Sequence, residues 1–190
     1  MRKLIVTNII SIDGHYEGPG GNVLALPMDQ LFNDYNLERL RAADTLLLGA
    51  TTFAGFKGYW PGVADDPAAA DDQREISRRN NAIDKVVISD SLSPDDGGAW
   101  RDTTRIVRRA DAHEAVRELK AGDGGDILMF GSRTTWNDLL TAGLIDELHL
   151  IVGAVALGAG TPAFTTSARL RLLDARRAEG SENVVLRYAA

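Results

Sequence analysis

Asp126 to Phe164 reads DILMFGSRTTWNDLLTAGLIDELHLIVGAVALGAGTPAF, and the fold is decided here. Ile127 to Phe130 is an apolar run of the length of one buried strand. Gly131-Ser132 follows at once, and Ser132 is placed to cap a helix. Trp136, Leu139, Leu140 and Leu144 give that helix its apolar face, and Gly143 closes it. A second strand follows over 147–152, then the glycine-rich run Gly153 to Gly160, where a ligand can approach the backbone closely. A strand–glycine–helix join gathers free backbone N–H groups at the positive end of the helix dipole, and such a spot attracts phosphate.

Working outward, residues 3–11 are rich in β-branched side chains and predict a first strand, ended by Ser11-Ile12-Asp13-Gly14. His15 to Asn22 is a glycine-rich loop. Pro27 stands where a helix begins, and Leu31, Tyr35, Leu37 and Leu40 carry that helix to about Ala43. A short buried strand is expected over 44–49. A turn or helix then runs from Thr51-Thr52 to Phe56 and breaks at Tyr59-Trp60-Pro61. The acidic 64–72 segment is an exposed link, and 72–82 a solvated helix. Strands are expected over 85–89 and 105–108, with a helix from the cap Asp111 to Lys120. Apolar alternation over 169–177 and again over 184–188 predicts a C-terminal antiparallel hairpin. Strands alternating with helices imply an α/β fold with a mixed, mostly parallel central sheet covered on both faces. No repeat or linker divides the chain, so one domain over 1–190 is expected.

The bulk properties exclude several classes of function. The net charge is −6, the opposite of what a non-specific nucleic-acid binder needs, so no nucleic-acid partner is expected. Cysteine is absent, which removes disulfides, thiolate zinc sites and thiol nucleophiles. No apolar run approaches the ~20 residues of a membrane helix, and the N-terminus reads as strand rather than signal peptide. No membrane association and a cytoplasmic location are the expectation. His15, His113 and His149 have no ligand spacing, so no metal site is expected. The Rossmann, Walker and G-x-S-x-G signatures are all missing. Trp60 and Trp136 read as core, and Asp65, Asp66, Asp71 and Asp72 as solvated surface.

Four turns follow strand ends: Ser11–Gly14, Gly49–Thr52, Ser89–Ser91 and Gly131–Thr134. In an open α/β sheet such turns line one crevice at the strand carboxyl ends. Their sequences carry a resemblance. Ser11-Ile12-Asp13-Gly14 is similar to the S-[LI]-D-G of the bacterial riboflavin-biosynthesis reductase domain, the RibD C-terminal family, which shares the dihydrofolate reductase fold. Leu46–Gly49 with Thr51-Thr52-Phe53, Gly58-Tyr59-Trp60-Pro61 and Lys85–Ser89 resemble further family motifs in the same order. Gly143-Leu144-Ile145-Asp146-Glu147-Leu148 followed by Leu157-Gly158-Ala159-Gly160 is the most specific part of the match.

The resemblance implies a three-layer α/β/α dihydrofolate reductase-like fold. It also implies an NAD(P)H-dependent reductase that transfers hydride to a pteridine- or pyrimidinone-like heterocycle, and pairing into a homodimer. On this sequence it places Gly49, Thr51, Thr52, Gly131, Ser132, Arg133 and Thr134 at the cofactor diphosphate, with Ser89 on the adenosine side. Ser11, Gly14, His15, Asp29 and Tyr35 fall on the substrate side. Asp13 becomes the candidate catalytic acid, its pKa raised beside a dry pocket; as a turn former it would do no chemistry. Two residues depart from the family pattern. Ala50 replaces an arginine, and Asp90 replaces a basic residue that favours a 2′-phosphate. A carboxylate there repels phosphate, with Arg78, Arg79, Arg101 and Arg105 as candidates for compensation, so the cofactor is expected to be NADPH or NADH. A non-catalytic nucleotide binder and a true dihydrofolate reductase remain the alternatives.

Overall fold

A computed structural model describes all 190 residues. In chain order the elements are β1 (Leu4–Ser11), β2 (His15–Glu17), α1 (Gln30–Ala42), β3 (Ala43–Gly49), α2 (Ala50–Val63) and α3 (Asp71–Ala82). They continue with β4 (Asp84–Ile88), β5 (Thr104–Val107), α4 (Ala112–Ala121), β6 (Asp126–Phe130), α5 (Arg133–Thr141) and β7 (Glu147–Gly153). The chain closes with β8 (Thr161–Pro162), β9 (Arg171–Arg177) and β10 (Val184–Ala189). Eight strands form one sheet in the order β5-β4-β3-β6-β1-β7-β10-β9. Every pair from β5 to β7 is parallel, and the β7–β10 and β10–β9 pairs are antiparallel. The mostly parallel sheet with its terminal hairpin is therefore as the sequence pattern implied. β2 and β8 form a separate two-stranded ribbon.

The alternation of side chains along a strand sorts the core into two layers. Leu4 and Val6 of β1, Leu47 of β3 and Met129 of β6 pack with Trp136 and Leu139 of α5 and Val116 of α4. Ile5, Leu46, Leu48 and Leu128 face the other way, against Leu37 and Leu40 of α1, Phe53 of α2 and Ile76 of α3. The central strands are buried on both faces, which is why their sequences read as continuous apolar runs rather than as alternation. No helix is long and apolar enough to cross a membrane.

The second helix corrects the sequence reading. It does not stop at Tyr59-Trp60-Pro61 but continues through Pro61 to Val63. Proline removes one helical N–H, and its ring displaces the carbonyl of the preceding turn. Pro61 lies in the helix's last turn, whose carbonyls have no helical partner, and α3 meets two of them: the Ser77 hydroxyl donates to Trp60 O at 2.5 Å and Asn81 Nδ2 donates to Pro61 O at 3.4 Å. The hairpin also differs from expectation in one respect. All seven residues of β9 are exposed, including Leu172 and Leu173, so its alternation buries neither face.

Candidate active site

A cleft of about 760 Å³ opens at the carboxyl ends of the neighbouring strands β4, β3 and β6 and beside the middle of β1. Ile88, Gly49, Phe130 and the Thr7–Ile9 stretch bring those strand ends to it. Two tight corners build its centre. Gly49 ends β3 directly before α2, and Gly131-Ser132 link β6 to α5. The Gly49 N–H donates to Ser132 Oγ at 2.6 Å, and the Ser132 N–H donates to Thr52 Oγ1 at 2.9 Å. Each corner thus holds the other, across 83 residues of sequence.

Ser132 occupies the N-cap position of α5, but it does not cap as the sequence suggested. Its φ is +57°, in the left-handed region, and its hydroxyl turns away from the helix toward Gly49. Gly49, the N-cap of α2, has no side chain to cap with. Both helices therefore begin without a side-chain cap, and their first N–H groups remain available at one crevice. Gly131 has φ +54°, and a Cβ there would lie 2.9 Å from Thr52 Oγ1 and 2.9 Å from the Tyr16 hydroxyl. Only glycine fits this bend and this closeness together.

Gly49, Thr51, Thr52, Gly131, Ser132, Arg133 and Thr134 all line the cleft. Ser89 does not: it is buried one step behind, and its hydroxyl accepts the N–H groups of Ser91 and Leu92 at 3.2 and 3.0 Å. Ala50 lines the cleft with no charge to offer. Asp90 is answered by Arg109, whose backbone N–H donates to Asp90 Oδ1 at 3.0 Å and whose guanidinium lies 3.6 Å from Oδ2. Arg109 also lines the cleft. The arginines expected to compensate do not do so: Arg79 pairs with Glu75 and Arg101 with Asp95, while Arg78 and Arg105 line no part of the cleft.

The expected substrate-side residues are not at the cleft wall. Asp13 is turned the other way. Ser11 Oγ donates to its carboxylate at 2.5 Å, and the Gly158 and Leu157 N–H groups donate at 2.7 and 3.1 Å. Those bonds, the Ser11 hydroxyl foremost, hold the Asp13 carboxyl well below the usual carboxylate range rather than above it. So held, the Asp13 carboxylate is tied to its own turn and does not line the cleft. Ser11, Gly14 and His15 stay with this knot, His15 Nδ1 lying 3.2 Å from Asp13. The glycine run 153–160 also serves the chain itself. A Cβ on Gly160 would meet Glu17 O at 2.2 Å, and one on Gly153 would meet Pro27 at 2.7 Å.

Asp29 caps α1, accepting the Phe32 N–H at 3.1 Å and the Ser181 hydroxyl at 2.5 Å. Tyr35 is buried, and its hydroxyl bonds His149 Nδ1 at 2.9 Å. Burial pushes the Tyr35 phenol up to about 12. His149 Nε2 meets Glu147 at 2.9 Å, and burial pushes its imidazole down. Lys3 and Arg187 close the same network on Glu147 at 2.7 and 2.9 Å. It ties α1 to the sheet, away from the cleft.

The α1 face that reaches the cleft is Phe32, Asn33, Asn36 and Leu40. Positions 32, 36 and 40 repeat every four residues, a signal present in the sequence but masked by the stronger Leu31–Tyr35 face. Phe56, Trp60, Phe130 and Tyr16 add aromatic surface, so Trp60 belongs to the cleft wall while Trp136 is core. Phe56 lies 5.9 Å from Phe130 and 6.3 Å from Trp60, ring centre to ring centre.

Known proteins share this architecture. The chain is 29% identical over 165 residues to the uncharacterized protein YyaP of Bacillus subtilis (strain 168), covering 86% of this chain and 80% of that one. The deaminase/5-amino-6-(5-phosphoribosylamino)uracil reductase of Thermotoga maritima superposes with a TM-score of 0.68 at 11% identity, over 99% of this chain and 56% of that one. Dihydrofolate reductase of Enterococcus faecalis, complexed with NADP(H) and RAB-propyl, superposes with a TM-score of 0.60 at 14% identity, over 98% of this chain and 95% of that one. The RibD C-terminal domain model matches residues 2–186, and the chain belongs to that family.

Proposed function

We propose that the protein is an NAD(P)H-dependent reductase of a small heterocycle. The observation that carries this reading is the pair of interlocked corners at Gly49 and Gly131–Ser132, where two uncapped helix starts meet at the strand ends. The residues fit a dinucleotide: the close packing of Gly131 against Thr52 and Tyr16 fixes the corner, and the backbone N–H groups of Thr51, Thr52 and Thr134 would hold a diphosphate there without a lysine. Arg133 and Arg109 supply positive charge on either side. When bound, a reduced nicotinamide supplies the hydride.

The chain's own part is placement. The ladder between β1 and β6 stops at Thr7–Phe130, yet β1 runs on to Ser11. The β6-facing backbone groups of Asn8 onward are thus free of ladder partners and open toward the cleft, fit to hold a carboxamide. The aromatic wall excludes water from the face opposite. Glu17 is the single carboxylate lining the cleft, and its Oε1 accepts the Thr161 hydroxyl at 2.7 Å. Holding two rings at near-attack distance, rather than a dedicated acid, is then the main source of rate. Titration with NADPH and NADH, followed by assay of cofactor oxidation with pyrimidinone and pteridine substrates, tests the reading. Absence of binding to either cofactor would remove it, and binding without oxidation of any of them would leave a nucleotide-binding protein.

A further inference from the structure

We propose that a second pocket, at the end of the sheet away from the cleft, binds a phosphate group through Lys3, Arg39 and Arg187. The site is independent of the reductase reading above. A pocket of about 330 Å³ lies at the amino ends of β1, β6 and β7. Lys3 stands just before β1, Asp126 opens β6 and Glu147 opens β7. Arg187 enters from β10, which pairs antiparallel with β7 and places Arg187 opposite His149. Arg39 comes from the last turn of α1, one turn beyond Asn36 on the cleft wall.

Charge at this end of the molecule is unevenly matched. Lys3 Nζ and Arg187 Nη2 both donate to Glu147, at 2.7 and 2.9 Å, so two cations share one carboxylate. Arg39 and Arg176 likewise share Glu38. Each pair keeps a surplus positive charge, and the one further carboxylate on the pocket wall is Asp126. Asp126 forms no ion pair with any of these cations, and burial pushes its carboxyl above the ordinary carboxylate range. Arg2, also on the wall, is consumed by Asp44, Thr45 Oγ1 and Gly125 O. The chain as a whole carries −6, so this positive hollow runs against its overall charge. Gathering like charges costs stability unless an opposite charge is drawn between them.

The donors left over fix the class of ligand. Arg39 and Arg187 each spend only Nη2 on a carboxylate, and the Lys3 ammonium has donors to spare beyond its bond to Glu147. The side chains of Lys3, Arg187 and Arg39 are 58%, 32% and 17% exposed, so a ligand in the pocket can reach them. They converge from three elements: the start of β1, the end of α1, and β10. A planar carboxylate is satisfied by one guanidinium fork, whereas the tetrahedral oxygens of a phosphate accept from several sides. A cationic ligand would meet the same repulsion as the resident cations. Free phosphate and the phosphoryl end of a larger molecule share this chemistry.

Thermal melts of the full chain test the site, with inorganic phosphate, glycerol 3-phosphate or sodium acetate titrated at an ionic strength held constant with sodium chloride. The rise in stability with ligand concentration gives each variant an apparent Kd against its own unliganded baseline. Phosphate or glycerol 3-phosphate should bind about tenfold tighter than acetate, and the better of the two distinguishes a free ion from a phosphoryl group. Arg39→Gln should weaken phosphate about tenfold or more, while Glu38 keeps Arg176 as its partner. Should Arg39→Gln not fold, Lys3→Gln makes the same measurement. Asp126→Asn removes the unpaired negative charge and should tighten phosphate about threefold or more, a gain that no loss of packing can mimic. Stabilisation by phosphate no greater than by acetate would overturn the proposal. So would an apparent Kd equal in wild type, Arg39→Gln and Asp126→Asn, which would put the phosphate elsewhere, as at the Gly131 corner. NADPH affinity should be unchanged in both variants, so failure of this site leaves the reductase reading standing.

Discussion

Substituting Gly131 by alanine separates what the double corner does for the cofactor from what it does for the fold. Gly131 has φ +54°, and an L-residue in that region costs about 1–2 kcal/mol. The new methyl would sit 2.9 Å from Thr52 Oγ1 and from the Tyr16 hydroxyl, closer than such atoms tolerate. Thr52 must turn, and its bond from the Ser132 N–H is lost, about 1 kcal/mol more. Stability should fall by roughly 2–3 kcal/mol in urea melts. The cofactor loses more. If the shifted corner drops one or two N–H bonds to phosphate, each worth about 1.5–3 kcal/mol, NADPH affinity falls by about 10- to 10⁴-fold. Gly143 provides the control: its φ is +66°, but no atom lies within 4 Å of its added Cβ. Gly143→Ala should lose comparable backbone stability and keep NADPH affinity within about threefold. Titration of cofactor fluorescence on both variants, below their melting temperatures, reads the difference. Gly131→Ala binding NADPH as tightly as Gly143→Ala would refute the placement of the diphosphate.

Further outcomes follow from the same geometry. Asp13→Asn should lower the urea midpoint by weakening the bonds to Leu157 and Gly158, yet leave the pH profile of cofactor oxidation unchanged; a lost acidic limb would restore Asp13 to the chemistry. Arg109→Ala should weaken NADPH relative to NADH by about five- to tenfold, and Asp90→Ala should do the reverse, as read by competitive titration of the two cofactors. Burial works against the charged form of Glu147, but bonds from Lys3, His149 and Arg187 outweigh it and hold the carboxyl at about 2, against an ordinary 4.5. A depressed carboxyl contributes stability in full above pH 4.5 and loses it as pH falls toward 2. Glu147→Gln should therefore cost about 3 kcal/mol at neutral pH, and the gap to wild type should close through that acid window in thermal melts. A homodimer is proposed along β9, whose exposed Leu172 and Leu173 lie on the sheet edge; Leu172→Asp should halve the mass seen by sedimentation.

The parallel core was legible because burial on both faces writes itself as runs such as Leu46-Leu47-Leu48 and Ile127-Leu128-Met129. The corners were legible as glycine and hydroxyl residues directly after those runs, though not their interlock, because the bond between Gly49 and Ser132 spans 83 residues and leaves no local trace. Pro61 misled for a related reason. It falls in the last turn of its helix, where α3 holds the final carbonyls, and no reading of α2 alone supplies those partners.

The substrate side was placed by resemblance, and its residues lie behind the cleft wall rather than on it. Asp13 and Asp29 are conspicuous in sequence, and each is consumed by the chain itself, as a turn ligand or a helix cap. A folded chain satisfies an ionised group first, because leaving one buried and bare costs more than leaving an amide so. Among the residues that line the cleft, Asn8, Asn36, Asn80 and Thr7 each keep one buried side-chain atom without a hydrogen-bond partner. Those residue types are inconspicuous in sequence, since asparagine and threonine are ordinary surface residues, and only their burial at 5%, 1% and 2% for Asn8, Asn80 and Thr7 marks them. The carboxylates of Asp13, Asp29 and Glu147 hold the scaffold around the cleft.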